Sequence, residues 1–195
     1  MKKIITISRQ FGSGGRSIAK AVAEKLGYDY YDSELVERVA KETGFSADYI
    51  ADAGEYAPGK SMLSYAFSSG TGAAMNATDY LWAAQCRIIM ELAEKGDCVI
   101  VGRCADYILR NREDCLNVFI YADTAYKAKR IVELYGVTDK SPEKRLADKD
   151  GKRRINYKYF TGREWGETEN YHISLNSAYF GNDKCAEIIA ELAKK

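Results

Sequence analysis

The sequence predicts an α/β fold built on a mainly parallel sheet, on three observations. Short apolar runs rich in β-branched residues recur along the chain, and helical patterns fall between them. The first run passes into a glycine-rich stretch, SRQFGSGGRSIAK at residues 8–20. Strands that alternate with helices form a parallel sheet covered on both faces, with ligands at the carboxyl ends of the strands.

The elements follow in chain order. Ile4-Ile5-Thr6-Ile7 has the composition of a buried strand, and residues 17–26 place Ile18, Ala21, Val22 and Leu26 on one helical face. A short strand is expected at 28–31, then a helix at 33–43 opened by an Asp32/Ser33 cap. Residues 51–77 are rich in Gly, Ala and Ser and lack a period. They read as an excursion with a short helix at 60–68, either a flap over a substrate or a plain loop. A helix at 79–95 carries Leu81, Ala84, Ile88 and Leu92 along one face, and strands are expected at 98–101, 116–121 and 171–175. Between the last two, an Asp123/Thr124 cap opens a helix at 124–134. Residues 137–169 hold nine Lys/Arg and few aliphatics, so they are expected to project from the core.

Composition narrows the function. At 195 residues, 46% of them hydrophobic, the chain suits a single domain with one sizeable core. Lys+Arg 29 against Asp+Glu 28 leaves a net charge of +1, so no bulk field draws the protein to nucleic acid or anionic lipid. Five cysteines with no C-x-x-C pair argue against a disulfide framework or a zinc site and fit a reducing cytoplasm. The first apolar stretch is too short for a signal peptide, and no segment approaches the roughly 20 apolar residues of a membrane span.

The glycine-rich stretch resembles a phosphate-binding loop, in which backbone N–H groups converge on phosphate oxygens at a helix N-terminus. Setting Gly15-Arg16-Ser17 on the usual G-K-[ST] puts Arg16 at the lysine and Gln10 at the first glycine. Gly12, Gly14 and Gly15 supply a permissive backbone, Arg16 a permanent cation with a bidentate fork, and Ser17 a hydroxyl. The alternative is a tight turn whose Arg9 and Arg16 are solvated. In YDYYDSELVERVA, residues 28–40, Asp32, Ser33 and Arg38 meet near one sheet edge and could hold a phosphorylated substrate; the alternative is a capped helix with an ordinary Glu34–Arg38 pair. CVIVGR ends a buried strand on Arg103, whose partner is either an anionic ligand or one of Asp97 and Asp106. No acid stands at the end of that strand to help hold Mg²⁺.

On a helix, positions 145, 149, 152 and 153 share a face that could close on a polyphosphate, unless Asp148 and Asp150 pair with Lys152 and Arg154 along a solvated surface. His172, the only histidine, reads as a packed strand residue, and no nucleophile–histidine–acid set is visible.

The ordered series ITISRQFGSGGRSIA, YYDSELVER, CVIVGR, LNVFIYAD, KAKR, GKRRINYKYFTGREWG and NYHISLNS spans almost the whole chain. It resembles the cytidylate kinase-like family of P-loop nucleoside monophosphate kinases. The resemblance implies a single P-loop three-layer domain over 1–195, with a central parallel sheet, helices on both faces, an acceptor-binding insertion at 33–80 and a mobile basic lid at 137–169. It implies ATP and Mg²⁺ at Gly12, Ser13, Gly14, Gly15, Arg16 and Ser17, with Ser17 reaching the metal through the nucleotide and Arg130 near the base and lid. Ser33 and Arg38 match the family's D-S-x-x-x-x-R pattern for the substrate phosphate, which places the acceptor by Asp32, Ser33, Arg38 and Arg103. Lid arginines fall in the region of Arg145, Arg153 and Arg154, in a register left open, and with Arg16 they form the implied catalytic set. Cys104 stands where the family's G-R-D element has its acid.

The implied activity moves the γ-phosphoryl group of ATP to a small phosphorylated acceptor such as a nucleoside monophosphate. Two other readings remain: a nucleotide-binding protein of the same fold with weak or no turnover, and a kinase for a non-nucleotide metabolite or a protein. Cytoplasmic location, no nucleic-acid or membrane partner, and room for a homodimer complete the expectations.

Overall fold

A computed structural model describes residues 3–47 and 77–195, the side chains of Ser33 and Ala77 excepted. The expected flap at 51–77, apart from its last residue, and the short helix at 60–68 lie outside the described residues, as does most of the 33–80 insertion.

Strand β1 (Ile4–Arg9) leads through the glycine-rich turn into α1 (Gly15–Leu26), followed by β2 (Asp29–Tyr31) and α2 (Ser33–Thr43). After the undescribed stretch come α3 (Ala77–Lys95), β3 (Cys98–Val101), a single turn α4 (Ala105–Ile108) and β4 (Cys115–Tyr121). Then follow α5 (Thr124–Tyr135), α6 (Pro142–Thr161), a 3₁₀ turn at Thr168–Asn170, β5 (Ile173–Asn176), α7 (Ser177–Phe180) and α8 (Asn182–Ala193). The five strands lie in the order β2-β3-β1-β4-β5, each parallel to its neighbour. As expected, the first strand is central: all six of its residues are buried, with Ile4 opposite Cys98 on one side and Cys115 on the other.

Period-2 alternation in β1 divides the core. Ile5 and Ile7 face Ile18 and Val22 of α1 and Ile189 of α8. Ile4 faces the opposite layer, with Leu35 of α2 and Ile88 and Leu92 of α3. Fully burying one such aliphatic contributes about 1.5–3 kcal/mol, so each face of β1 fixes its own helix layer. Toward the carboxyl end that second face turns polar: Thr6 Oγ1 donates to Asn117 Oδ1 (2.7 Å) and Ser8 approaches Asp106. The sheet thus holds a polar floor where the chain makes its site.

Stop signals at the helix ends are legible. Gly27, Gly44 and Gly162 end α1, α2 and α6 in the left-handed conformation. Asp123 caps α5 by accepting from the Tyr126 N–H, and Ser141 caps α6 just before Pro142. The expected Asp32 cap of α2 does not form, because its carboxylate is engaged elsewhere.

The expectation that 137–169 projects from the core is corrected. The 20-residue α6 buries Leu146, Asp150, Asn156, Tyr157 and Thr161 and packs against α5 and the carboxyl end of the sheet. Phe160 stacks on Trp82 of α3, with centroids 4.4 Å apart. Asp148 binds Lys140 (3.0 Å) and Lys144 (3.4 Å), while Asp150 turns inward to the loop. No helix among the described residues is long and apolar enough to cross a membrane.

Candidate functional site

The turn after β1 bends tightly, and two of its glycines carry that bend. Gly12 and Gly14 have φ of 81° and 80°, and a Cβ at Gly12 would lie 2.9 Å from Ile131 Cγ2. Gln10 is not in that conformation, which explains why a non-glycine stands there. Its side chain turns down into the protein, where Oε1 accepts from Lys127 Nζ (2.7 Å) and from the Ala122 N–H (3.4 Å). Burial lowers the pKa of Lys127, and its ammonium lies 4.0 Å from Asp150. Asp150 in turn accepts from the Phe11 N–H (2.7 Å), so α6 is bonded to the loop itself. Burial raises the Asp150 carboxyl against the pull of Arg153 and Lys127.

Helix α1 begins at Gly15 with no side-chain cap and no acidic residue in its first turn. Its leading N–H groups and the positive end of its dipole therefore face outward unanswered by the protein, an arrangement suited to an anion. They open on a cavity of about 150 Å³ lined by Gly12, Gly14, Gly15, Arg16 and Ser17, with Arg130, Lys149 and Arg153 beyond. The Ser13 side chain is buried, with Oγ donating to the Gln10 carbonyl (2.8 Å), and its own carbonyl accepts from Ser177 Oγ.

The cations are held unequally. Arg16 grips Asp32 with both arms of its fork, Nε to Oδ2 at 2.7 Å and Nη2 to Oδ1 at 3.4 Å, while remaining half exposed. Tyr30 also reaches Asp32, and burial next to that carboxylate pushes its phenol up to about 12. Arg130 donates to Ser17 Oγ (3.2 Å). Arg153 donates to the Arg9 carbonyl (3.2 Å) and lies 3.4 Å from Asp150. Arg145 donates instead to the Gly136 carbonyl, and Arg154 is exposed; neither lines this cavity.

The residues expected around an acceptor each have their own setting. Arg38 pairs with Glu34 (3.1 Å) and sits over the Tyr31 ring, whereas Arg103 lines a second, smaller cavity of about 30 Å³. Asp32 belongs to Arg16, and the Ser33 side chain lies outside the described residues. The turn that carries Arg103 is strained, with Gly102, Arg103 and Cys104 successively at φ 72°, 57° and 54°. Beneath it Asp106 is buried and accepts from Tyr157 Oη of α6 (2.6 Å), with Ser8 at 3.5 Å. Burial lifts that carboxyl to about 6 despite those bonds. Sequence reasoning offered Asp106 only as a partner for Arg103 and missed Tyr157. His172, expected as a packed strand residue, is exposed and precedes β5, and its Nδ1 accepts from the Asn117 N–H (2.9 Å).

Comparison with known proteins points to a family and a fold. The family model described as the cytidylate kinase-like family matches residues 4–179. The cytidylate kinase of Archaeoglobus fulgidus is 29% identical over 189 residues, 95% of this chain and 91% of its own. That of Aeropyrum pernix is 23% identical over 190 residues, 97% of this chain and 98% of its own. Among solved structures, an uncharacterized protein from Eubacterium ventriosum superposes with a TM-score of 0.75 at 26% identity, covering 98% of both chains. A shikimate kinase from Acinetobacter baumannii, solved with shikimate, matches at a TM-score of 0.54 and 16% identity over 97% of this chain and 92% of its own, a likeness of fold.

Proposed function

Because the chain belongs to the cytidylate kinase-like family, we propose that it is an ATP-dependent phosphotransferase acting on a small phosphorylated acceptor such as a nucleoside monophosphate. The observation that carries this reading is the uncapped N-terminus of α1, which opens on a cavity whose charged residues, among the described residues, are all cationic. The donor phosphates lie on the N–H groups from Gly12 to Ser17, with Arg16 supplying the charge that a loop lysine ordinarily gives. Arg130 and Arg153 flank them, and the acceptor takes the side of Arg103.

The residues present fit Mg²⁺ as a partner of the nucleotide. No cluster of three His, Cys, Asp or Glu among the described residues forms a cage of its own, and the exposed Ser17 hydroxyl lies at the loop cavity. When bound, the metal neutralises phosphate charge. The chain's own part is positioning and electrostatics: arginines and backbone N–H groups need no covalent nucleophile for phosphoryl transfer.

A screen for acceptor-dependent ADP release with Mg·ATP, over nucleoside monophosphates and phosphorylated metabolites, tests the reading, with binding measured alongside. One or a few acceptors are expected to stimulate release. A second reading, a nucleotide-binding protein without turnover, is favoured by the Arg16–Asp32 pair, which a phosphate must displace. ATP binding with no release in any arm selects it; no ATP binding overturns both.

A further inference from the structure

Asp150 stands where the glycine-rich loop, α5 and α6 meet. Its Oδ1 accepts from the Phe11 N–H (2.7 Å) and lies 3.4 Å from Arg153 Nη1, while Oδ2 lies 4.0 Å from Lys127 Nζ. All three side chains of this cluster are close to nine-tenths buried, with Asp150 11%, Arg153 10% and Lys127 9% exposed. Each partner is fastened again on its far side. Lys127 Nζ donates to Gln10 Oε1, and Arg153 Nη1 donates to the Arg9 carbonyl. The Gln10 N–H donates to the Ile120 carbonyl of β4 (2.9 Å), which ties the loop to the sheet. One turn before Asp150, Leu146 packs with Phe11 against Ala128 and Ile131 of α5. The chain from Arg9 to Phe11 is thus gripped by the helix face that carries Asp150 and, at i+3, Arg153.

That grip lies directly behind the loop cavity. Phe11, Lys149 and Arg153 line it on one side and the glycine run lines it on the other. By charge alone a carboxylate in this place opposes a bound phosphate. What it supplies is placement. Asp150 lies between Lys149 and Arg153 in α6, and its bond to the Phe11 N–H fixes the turn that bears them to the start of the loop.

We propose that Asp150 is a positioning residue for the phosphate site, its carboxylate setting Arg153 and Lys149 of α6 against the loop N–H groups so that a polyphosphate meets both at once. The assignment rests on the reading that the loop cavity takes the donor's phosphates. Asp150 touches no ligand and takes part in no bond change. A guanidinium already held by a neighbour loses less side-chain freedom when a phosphate arrives, and donors fixed in advance do not reorganise during transfer.

The test needs no known acceptor, and it turns on a sign. Inorganic tripolyphosphate is titrated calorimetrically at fixed ionic strength into wild type, Asp150→Ala, Asp150→Asn, Arg153→Gln and the double variant Asp150→Ala/Arg153→Gln. Asp148→Asn serves as the control for charge, because Asp148 lies on the far side of the same helical turn, with Lys140 and Lys144. Loss of a negative charge by itself tightens an anion, and Asp148→Asn is expected to bind as wild type does or slightly more tightly. Asp150→Ala is expected to weaken tripolyphosphate about 10–100-fold, the scale of hydrogen bonds to charged groups. Asp150→Asn, whose amide oxygen still accepts from the Phe11 N–H, is expected to lose less while remaining weaker than Asp148→Asn. In the Arg153→Gln background the loss caused by Asp150→Ala is expected to shrink, because the two side chains act together. Melting curves check folding, and Asp150→Asn carries the comparison with Asp148→Asn if Asp150→Ala does not fold. A folded Asp150 variant that binds as tightly as Asp148→Asn, or a loss of equal size with and without Arg153, overturns the assignment. A wild type that binds no tripolyphosphate overturns the phosphate reading and this assignment with it. If no acceptor stimulates ADP release while the Asp150 dependence holds, the kinase reading fails and the positioning role stands.

Discussion

Arg16 is shared between an internal carboxylate and the ligand expected at the loop. Removing it by Arg16→Ala should weaken Mg·ATP binding by about 1.5–3 kcal/mol, the worth of hydrogen bonds to a charged group. Asp32→Asn should act in the opposite direction and tighten ATP by less than about 1 kcal/mol, because a half-exposed ion pair is worth little. Calorimetry reads both, and an unchanged affinity in Arg16→Ala would leave the glycines as a turn alone. At this scale the sequence was legible only over short spans. The Glu34–Arg38 pair lies one helical turn apart and was foreseen, whereas Arg16–Asp32 joins two elements and was not. A solvated Arg9 belonged to one of the two readings of the turn, and nothing in a linear sequence reveals that Gly15 and Gly102 flank it.

Helix α6 shows where element-level reading stops. The five strands and the helices α1, α2, α3 and α5 were placed to within two residues and α8 was not placed, but the inner face of α6 is Asp150, Asn156, Tyr157 and Thr161, with Leu146 as its only buried aliphatic. A polar face that is buried against polar partners leaves no apolar period to read. Its tie to α4 is the Tyr157–Asp106 bond. Tyr157→Phe should destabilise the fold above pH 6 by about 1.5–3 kcal/mol, since it strips a hydrogen bond from a buried carboxylate. The pH dependence has a definite sign. Burial raises folded Asp106 from 3.8 to about 6, so its contribution is full when protonated in both states and is lost as pH rises through 6. Relative to Asp106→Asn, the wild type should therefore lose about 2–3 kcal/mol between pH 4 and pH 7, at about 1.4 kcal/mol per unit. Urea melts of both proteins at several pH values measure it, and parallel curves would place Asp106 in a more polar setting.

For the whole molecule, the strand that comes first is laid down between two that come about a hundred residues later. A fragment ending before β4 should accordingly show no protection of the β1 amides in hydrogen exchange, whereas the full chain protects them most. All five cysteines are free, four are buried, and burial pushes the Cys98 and Cys115 thiols up to about 12, so the folded chain resists thiol reagents. Cys98 and Cys115 flank Ile4 in register, in the same core layer, two strand spacings or about 10 Å apart, which exceeds the roughly 7 Å that a disulfide can span. Once unfolded, the two thiols are only 17 residues apart (115 − 98) and can join readily. A chain oxidised in that way has closed the slot that β1 must enter. Unfolding in air should therefore become irreversible while unfolding under reductant does not, and Cys98→Ser should restore recovery. The central strand makes oxidation a one-way lock on the denatured chain.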